Sequence, residues 1–285
     1  MQDNQPIQRD ISRRHVLASG LATAGALGLN APRAQAQATA AAPRALTAQT
    51  TEGPYFLDGM PLRADITEGL PGVPTEVRIE VLDPSGAPLP NVRVDLWQCD
   101  AQGLYSGYGG QGDDRSVSVE GKTFLRGGLM TGSDGTAAFR SIYPGWYTGR
   151  TTHIHFKVSR APRTMLTSQF FLPDALSEYL YTQQPGYQRS ALRNVLNSTD
   201  GILLSAGDTV IGSVRETANR YLVSLTTVVD PTANPPIHRP GPGSGPPPGA
   251  RLGGGPPPGF GGTPPLKAPE GPARVQALVP GSRPR

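Results

Sequence analysis

Short runs of alternating apolar and polar residues, each closed by a turn signal, set the strongest limit on how this chain folds. From residue 50 to residue 174 no stretch keeps a 3.6-residue apolar period, whereas residues 76–81 and 92–97 alternate. Asp83-Pro84-Ser85-Gly86, Ser133-Asp134-Gly135 and Pro144-Gly145 punctuate the chain, and further strand-like runs cover residues 136–142, 152–158, 166–171 and 220–229. Strands at this spacing predict an all-β, antiparallel β-sandwich with long loops. The exception is 174–197, where Leu176, Tyr179 and Leu180 predict one short helix, broken at Gln184-Pro185-Gly186. There is no βαβ alternation, no internal repeat, no G-x-x-x-x-G-K-[ST] and no G-x-S-x-G. A nucleotide-binding sheet and a serine-hydrolase elbow are thereby excluded.

Composition places the domain boundaries. Of 31 prolines and 36 glycines, 17 and 12 fall in residues 231–285, in runs such as Gly245-Pro246-Pro247-Pro248-Gly249. That stretch predicts a disordered Pro/Gly-rich C-terminal tail, leaving residues 39–230 as the sandwich domain. The formal charge of +4 sits at the two ends, because residues 39–230 hold 16 basic and 19 acidic side chains. A slightly acidic domain has no electrostatic reason to seek nucleic acid. The lone cysteine, Cys99, excludes an intramolecular disulfide and a cysteine-rich zinc site, and is read as a small buried hydrophobe.

Residues 1–38 read as an export signal. Ser12-Arg13-Arg14-His15-Val16-Leu17 precedes a short, glycine-containing apolar run and then Ala34-Gln35-Ala36 and Ala36-Gln37-Ala38. Twin arginines, a weak apolar region and a small-x-small cleavage site predict a twin-arginine signal peptide and the corresponding export machinery as partner. The expected location is periplasmic or extracellular. The apolar run is too short for a membrane span.

The chemistry-bearing residues converge on one stretch. His153 and His155 stand at i and i+2 in Thr152-His153-Ile154-His155-Phe156, so on a strand both imidazoles project from one face while Ile154 and Phe156 enter the core. They are either a pair of metal ligands or two polar residues on a solvated face. Pro144-Gly145-Trp146-Tyr147 and Arg150 lie just upstream, and Tyr105 ends the segment that starts at Leu96-Trp97-Gln98. Two phenols and two imidazoles without a thiolate form a hard donor set, which favours a trivalent ion such as Fe(III) over zinc.

These residues carry a family resemblance. Thr51-Glu52-Gly53-Pro54-Tyr55-Phe56, Leu96-Trp97-Gln98 through Gly103-Leu104-Tyr105, Ile142-Tyr143-Pro144-Gly145-Trp146-Tyr147 through Arg150-Thr151-Thr152-His153-Ile154-His155-Phe156, and Ser168-Gln169-Phe170-Phe171 resemble the intradiol ring-cleavage dioxygenases. The protocatechuate 3,4-dioxygenase β-subunit-like branch is the most similar, here in an exported form. Arg126-Gly127 through Gly135 and Asn197-Ser198-Thr199-Asp200-Gly201-Ile202 also look like the family. The helical N-terminal dimerisation region of the catechol 1,2-dioxygenase branch has no match in this chain.

The resemblance implies a non-haem Fe(3+) enzyme that cleaves a catechol with O2 to a cis,cis-muconate-type dicarboxylate, in aromatic compound catabolism. It implies Tyr105, Tyr147, His153 and His155 as metal ligands, with Tyr108 competing for the place of Tyr105. Tyr147 would also take a proton from the substrate. Arg150 would stabilise charge beside the ring, or form a rim salt bridge instead. Gln169 would hydrogen-bond near Arg150, and Tyr55 and Trp146 would line the substrate pocket or pack in the core. A homo-oligomer is left open. The alternative without catalysis is an exported β-sandwich binding or adhesion module.

Overall fold

The computed structural model describes residues 42–236 and 267–280. The expected signal peptide, residues 1–38, lies outside the described residues, as do residues 237–266 and 281–285 of the Pro/Gly-rich stretch. Among the described residues, eight strands form two four-stranded sheets. In one the order is β4-β1-β8-β7, built from β1 (Pro74–Leu82), β4 (Thr136–Ile142), β7 (Ser213–Glu216) and β8 (Tyr221–Val228). In the other it is β3-β2-β5-β6, from β2 (Arg93–Trp97), β3 (Arg126–Met130), β5 (His153–Arg160) and β6 (Arg163–Phe171).

Period-two alternation builds the core. Val77, Ile79 and Val81 of β1 join Val94 and Leu96 of β2 and Ile154, Phe156 and Val158 of β5 in one cluster, all fully buried. Each such side chain contributes roughly 1.5–3 kcal/mol of hydrophobic stabilisation. The same alternation sends His153, His155 and Lys157 to the opposite face of β5. Strand register extends that face into a row: Arg126 pairs with Trp97, Trp97 with His155, and His155 with Gln169. The face is covered, not solvated, since both histidines and Lys157 are buried. Residues 51–56 lie over it: Glu52 forms a buried ion pair with Lys157, and Phe56 meets Trp97 edge to face.

The structure departs from the sequence expectation in three places. First, the sandwich is not wholly antiparallel, because β1 and β8 run parallel in register from Thr75 opposite Tyr221 to Leu82 opposite Val228. The 138 residues between these strands supply the long connection that parallel pairing requires. Second, two strands escaped the alternation. β3 carries Gly127 and Gly128, which interrupt the alternation; a Cβ at Gly127 would stand 2.6 Å from Ile66 Cγ2 and one at Gly128 2.6 Å from Asp95 Oδ1. Close packing against β3, not a turn, accounts for them. β7 has only four residues.

Third, the described residues hold more than one short helix. α1 (Asp174–Gln183) falls where expected, and its last turn closes with the Gln184 amide on the Leu180 carbonyl. α2 (Gly201–Ala206) is capped by Asp200, whose carboxylate accepts from the Ile202 and Leu203 amides, and a 3-10 turn (Gly207–Val210) follows. α3 (Gly271–Ala277) lies within residues 231–285, the stretch expected to be disordered. Residues 267–280 pack on the domain with Ala268 and Arg274 buried, because Arg274 finds a carboxylate partner in Glu178 that composition cannot show. No helix among the described residues is long and apolar enough to cross a membrane.

Candidate metal centre

The outward face of β5 sets the first two donors. His153 and His155 bring their Nε2 atoms to 3.1 Å of each other. His153 Nδ1 donates to the Thr151 carbonyl at 2.7 Å, which fixes its tautomer and leaves the Nε2 lone pair facing its neighbours. His155 is packed by Trp97, stacked on it at 5.0 Å and 15°, and by Gly53, where a Cβ would stand 3.0 Å from Cε1. Gly53 has φ +74°, a backbone conformation that glycine adopts without steric cost.

Two loops add the phenols. The connection from β4 to β5 brings the Tyr147 hydroxyl to 3.2 Å from His153 Nε2. The connection from β2 to β3 brings the Tyr105 hydroxyl to 3.4 Å from the same nitrogen. Gln111 holds Tyr105 in place on both sides of its backbone, accepting from the Tyr105 amide at 2.7 Å and donating to its carbonyl at 2.8 Å. Tyr108, the competing phenol, is committed elsewhere: its hydroxyl donates to the Phe56 carbonyl at 2.8 Å.

Behind the donors stands a polar scaffold. Arg150 donates through Nε to Asp200 Oδ2 at 2.8 Å and through Nη2 to Gln169 Oε1 at 2.7 Å. Gln169 turns its amide NH2 onto the Thr51 carbonyl at 2.9 Å, so its orientation is set from both ends. Asp200 Oδ2 also accepts from the Thr151 amide at 3.0 Å. One carboxylate therefore ties together the arginine, the residue that anchors His153, and the start of α2.

Tyr55 and Trp146 part company. The Tyr55 ring stacks on Tyr105 at 4.4 Å and meets Tyr147 edge-on at 6.2 Å, forming an aromatic wall beside the donors. Trp146 packs into the sandwich core beneath Arg189, whose guanidinium lies 4.0 Å from its ring. The structure does not bring Trp146 into the aromatic group around the donors. The sequence reading also passed over Asp200, Thr151, Gln111 and Trp97 as supports. Asp200-Gly201 before an apolar Ile-Leu-Leu run was a legible cap signal.

Electrostatics suit a cation. Burial, reinforced by Arg150, pushes His153 down to about 3, and burial together with His153 and Arg150 holds His155 well below the ordinary imidazole range. Both imidazoles are thus neutral donors at pH 7. Burial above all raises the phenols of Tyr105 and Tyr147, so each stays protonated until a positive charge arrives between them.

The donor set fits a metal ion. His153 Nε2 has a single lone pair, yet two hydroxyls and a second imidazole nitrogen lie 3.1–3.4 Å from it. Donors sharing one ion at about 2.0–2.2 Å are separated by about 3.0–3.4 Å. Among the described residues no group of three or more His, Cys, Asp or Glu side chains could hold a metal. A metal in this place would draw half its protein donors from tyrosine, a preference of hard, highly charged ions.

A β-sandwich that gathers two imidazoles, two phenols and a buried guanidinium on the outer face of one sheet defines a candidate mononuclear, tyrosine-rich metalloprotein. Comparison with known proteins makes the class specific. The family model Dioxygenase_C, described as dioxygenase, matches residues 51–183, the span that carries all four donors. Hydroxyquinol 1,2-dioxygenase of Nocardioides simplex is 32% identical over 147 residues, covering 44% of this chain and 47% of that protein. Catechol 1,2-dioxygenase of Acinetobacter baylyi is 26% identical over 220 residues, covering 68% and 67%. An intradiol ring-cleavage dioxygenase from Tetranychus urticae superposes with a TM-score of 0.62 at 26% identity, covering 68% of this chain and 98% of that one. Over these spans the chain is similar to the intradiol ring-cleavage dioxygenases. It spans about half the length of several curated relatives, and these likenesses do not single out the protocatechuate branch.

Proposed function

We propose that this protein cleaves a catechol-type aromatic diol between its two hydroxyl-bearing carbons, using O2 and a ferric ion held by Tyr105, Tyr147, His153 and His155. The observation that carries the reading is the convergence of both phenols and the His155 imidazole within 3.1–3.4 Å of His153 Nε2. Bound there, a ferric ion would supply a Lewis acid that binds both diol oxygens and draws electron density from the deprotonated ring, opening it to reaction with O2. The reaction balances without an external reductant, since both atoms of O2 enter the product, a cis,cis-muconate-type dicarboxylate.

The protein's own groups account for the rest. The Tyr147 oxygen, beside His153, is the group placed to take a proton from an incoming diol. Arg150 presents a fixed cation to the oxyanionic charge that develops on the ring, and needs no reorganisation because Asp200 and Gln169 already hold it. Tyr55 and Trp97 keep the site aromatic and exclude water. Catechols and hydroxyquinols are the substrate classes named for the relatives, so the reading extends to aromatic compound catabolism. The twin-arginine motif supports the same activity outside the cytoplasm, in an exported form.

The test is the purified protein after expression with ample iron. A visible tyrosinate-to-iron charge-transfer band is expected, with oxygen uptake on a panel of catechol, protocatechuate, hydroxyquinol and halogenated catechols. A colourless, iron-free protein that consumes no oxygen with any of them overturns the proposal and leaves the binding-module reading.

A further inference from the structure

The segment 267–280 docks into a site made for an arginine. Arg274 donates through Nε to Glu178 Oε1 at 2.6 Å, through Nη2 to Glu178 Oε2 at 2.9 Å, and through Nη2 to the Arg193 carbonyl at 3.2 Å. Glu178 is shared with Arg193, whose Nε lies 3.1 Å from Oε2, and Arg193 Nη1 reaches Asp174 Oδ1 at 2.8 Å. All four side chains are at most 14% exposed. Arg274 supplies the second guanidinium to this pair of carboxylates, and its loss leaves Arg193 between Asp174 and Glu178.

From this cluster two hydrogen-bonded routes lead to the loop between the donors Tyr147 and His153. Along the first, Asp174 Oδ2 accepts from the Asn197 amide at 3.0 Å, and Asn197 Oδ1 accepts from the Thr151 hydroxyl at 2.8 Å. Along the second, the Ala268 amide donates to the Asn194 carbonyl at 2.9 Å, while Asn194 Oδ1 accepts from the Gly149 amide at 3.0 Å. Both routes end on residues 149–151.

We propose that residues 267–280 act as a strap, with Arg274 as a positioning residue: docked on Glu178 and Arg193, the segment fixes residues 149–151 and thereby the place of the Tyr147 phenol. The restraint on 149–151 is independent of catalysis, and only its consequence for Tyr147 rests on the function proposed above. A composition that reads as a disordered tail thus contains a piece of the scaffold of the metal centre. Coupling over such a path is established by measurement and not by adjacency.

The experiment measures amide hydrogen exchange on the full-length protein and its Arg274→Ala and Arg274→Lys variants. Loss of a charge-assisted contact is expected to speed exchange at Gly149 and Thr151 about tenfold in Arg274→Ala, with partial recovery in Arg274→Lys. Amides in β1 and β8 are expected to stay within about twofold of the parent. Unchanged exchange at Gly149 and Thr151, or a rise shared equally by β1 and β8, overturns the proposal. Exchange is read without turnover, so failure of the enzymatic reading leaves this outcome intact. In the iron-loaded protein Arg274→Ala is expected to shift the tyrosinate band, and an unmoved band overturns the extension to Tyr147.

Discussion

Arg150 and Asp200 form a buried ion pair at 2.8 Å, with side chains only 11% and 1% exposed, and the same Asp200 oxygen accepts the Thr151 amide. Burial alone would raise the Asp200 carboxyl, but Arg150 outweighs it and holds the group below its ordinary range. The carboxylate is therefore charged at neutral pH, and it aims the guanidinium.

Asp200→Asn keeps a cap for α2 and a hydrogen-bond acceptor while removing the charge that orients Arg150. Metal content is expected to match the parent, since no donor is touched. The turnover number is expected to fall about 10- to 100-fold, with a smaller change in KM, because the cation acts on charge that develops during the reaction. Steady-state oxygen uptake on iron-loaded protein checks this. A variant that turns over at the parent rate would make the pair a matter of stability alone.

Tyr147→Phe and Tyr108→Phe separate a donor from its neighbour. Tyr147 lies 3.2 Å from His153, whereas the Tyr108 hydroxyl is spent on the Phe56 carbonyl. Tyr147→Phe is expected to bleach or shift the charge-transfer band and suppress turnover. Tyr108→Phe is expected to keep the band and lose about 1 kcal/mol of stability, the value of one hydrogen bond. Absorption spectra and urea midpoints read both, and equal spectra in the two variants would undo the assignment.

What the sequence made legible follows the physics of each element. Period-two alternation is a local signal, so the strands around Val77, Val94 and Ile154 and the projection of His153 and His155 from one face could be read directly. The choice between a ligand pair and a solvated pair could not, because it depends on burial by residues 51–56, far away in sequence. The parallel pairing of β1 with β8 is invisible for the same reason: alternation specifies a face, not a partner. Arg274 is the sharpest case. It follows Gly271-Pro272-Ala273 in a Pro/Gly-rich stretch, and its carboxylate partner stands 96 residues earlier.

The strap should come loose in acid. Burial of Glu178 raises its carboxyl, but Arg274 and Arg193 prevail and hold it below its ordinary value. A carboxyl depressed in the folded state contributes stability above its unfolded pKa of about 4.3, and that contribution is lost as pH falls through the folded value. Thermal midpoints of the parent are therefore expected to fall more steeply below about pH 4 than those of Glu178→Gln, which has no proton to take up at that position. Identical pH profiles would show that the carboxylate's titration contributes nothing to folding.

Gly53→Ala tests whether residues 51–56 hold His155 in register. The new methyl would meet His155 Cε1 at 3.0 Å from a backbone at φ +74°, against a ring already stacked on Trp97. Left-handed backbone at a non-glycine residue costs about 1–3 kcal/mol, which a lower urea midpoint at unchanged slope would register. The contact adds a second effect that backbone strain alone would not produce. Displacing His155 alters the donor geometry, so the iron-loaded variant is expected to show a shifted band or to lose metal to a chelator faster than the parent. A destabilised variant with the parent's spectrum and metal retention would mean that Gly53 serves only the turn.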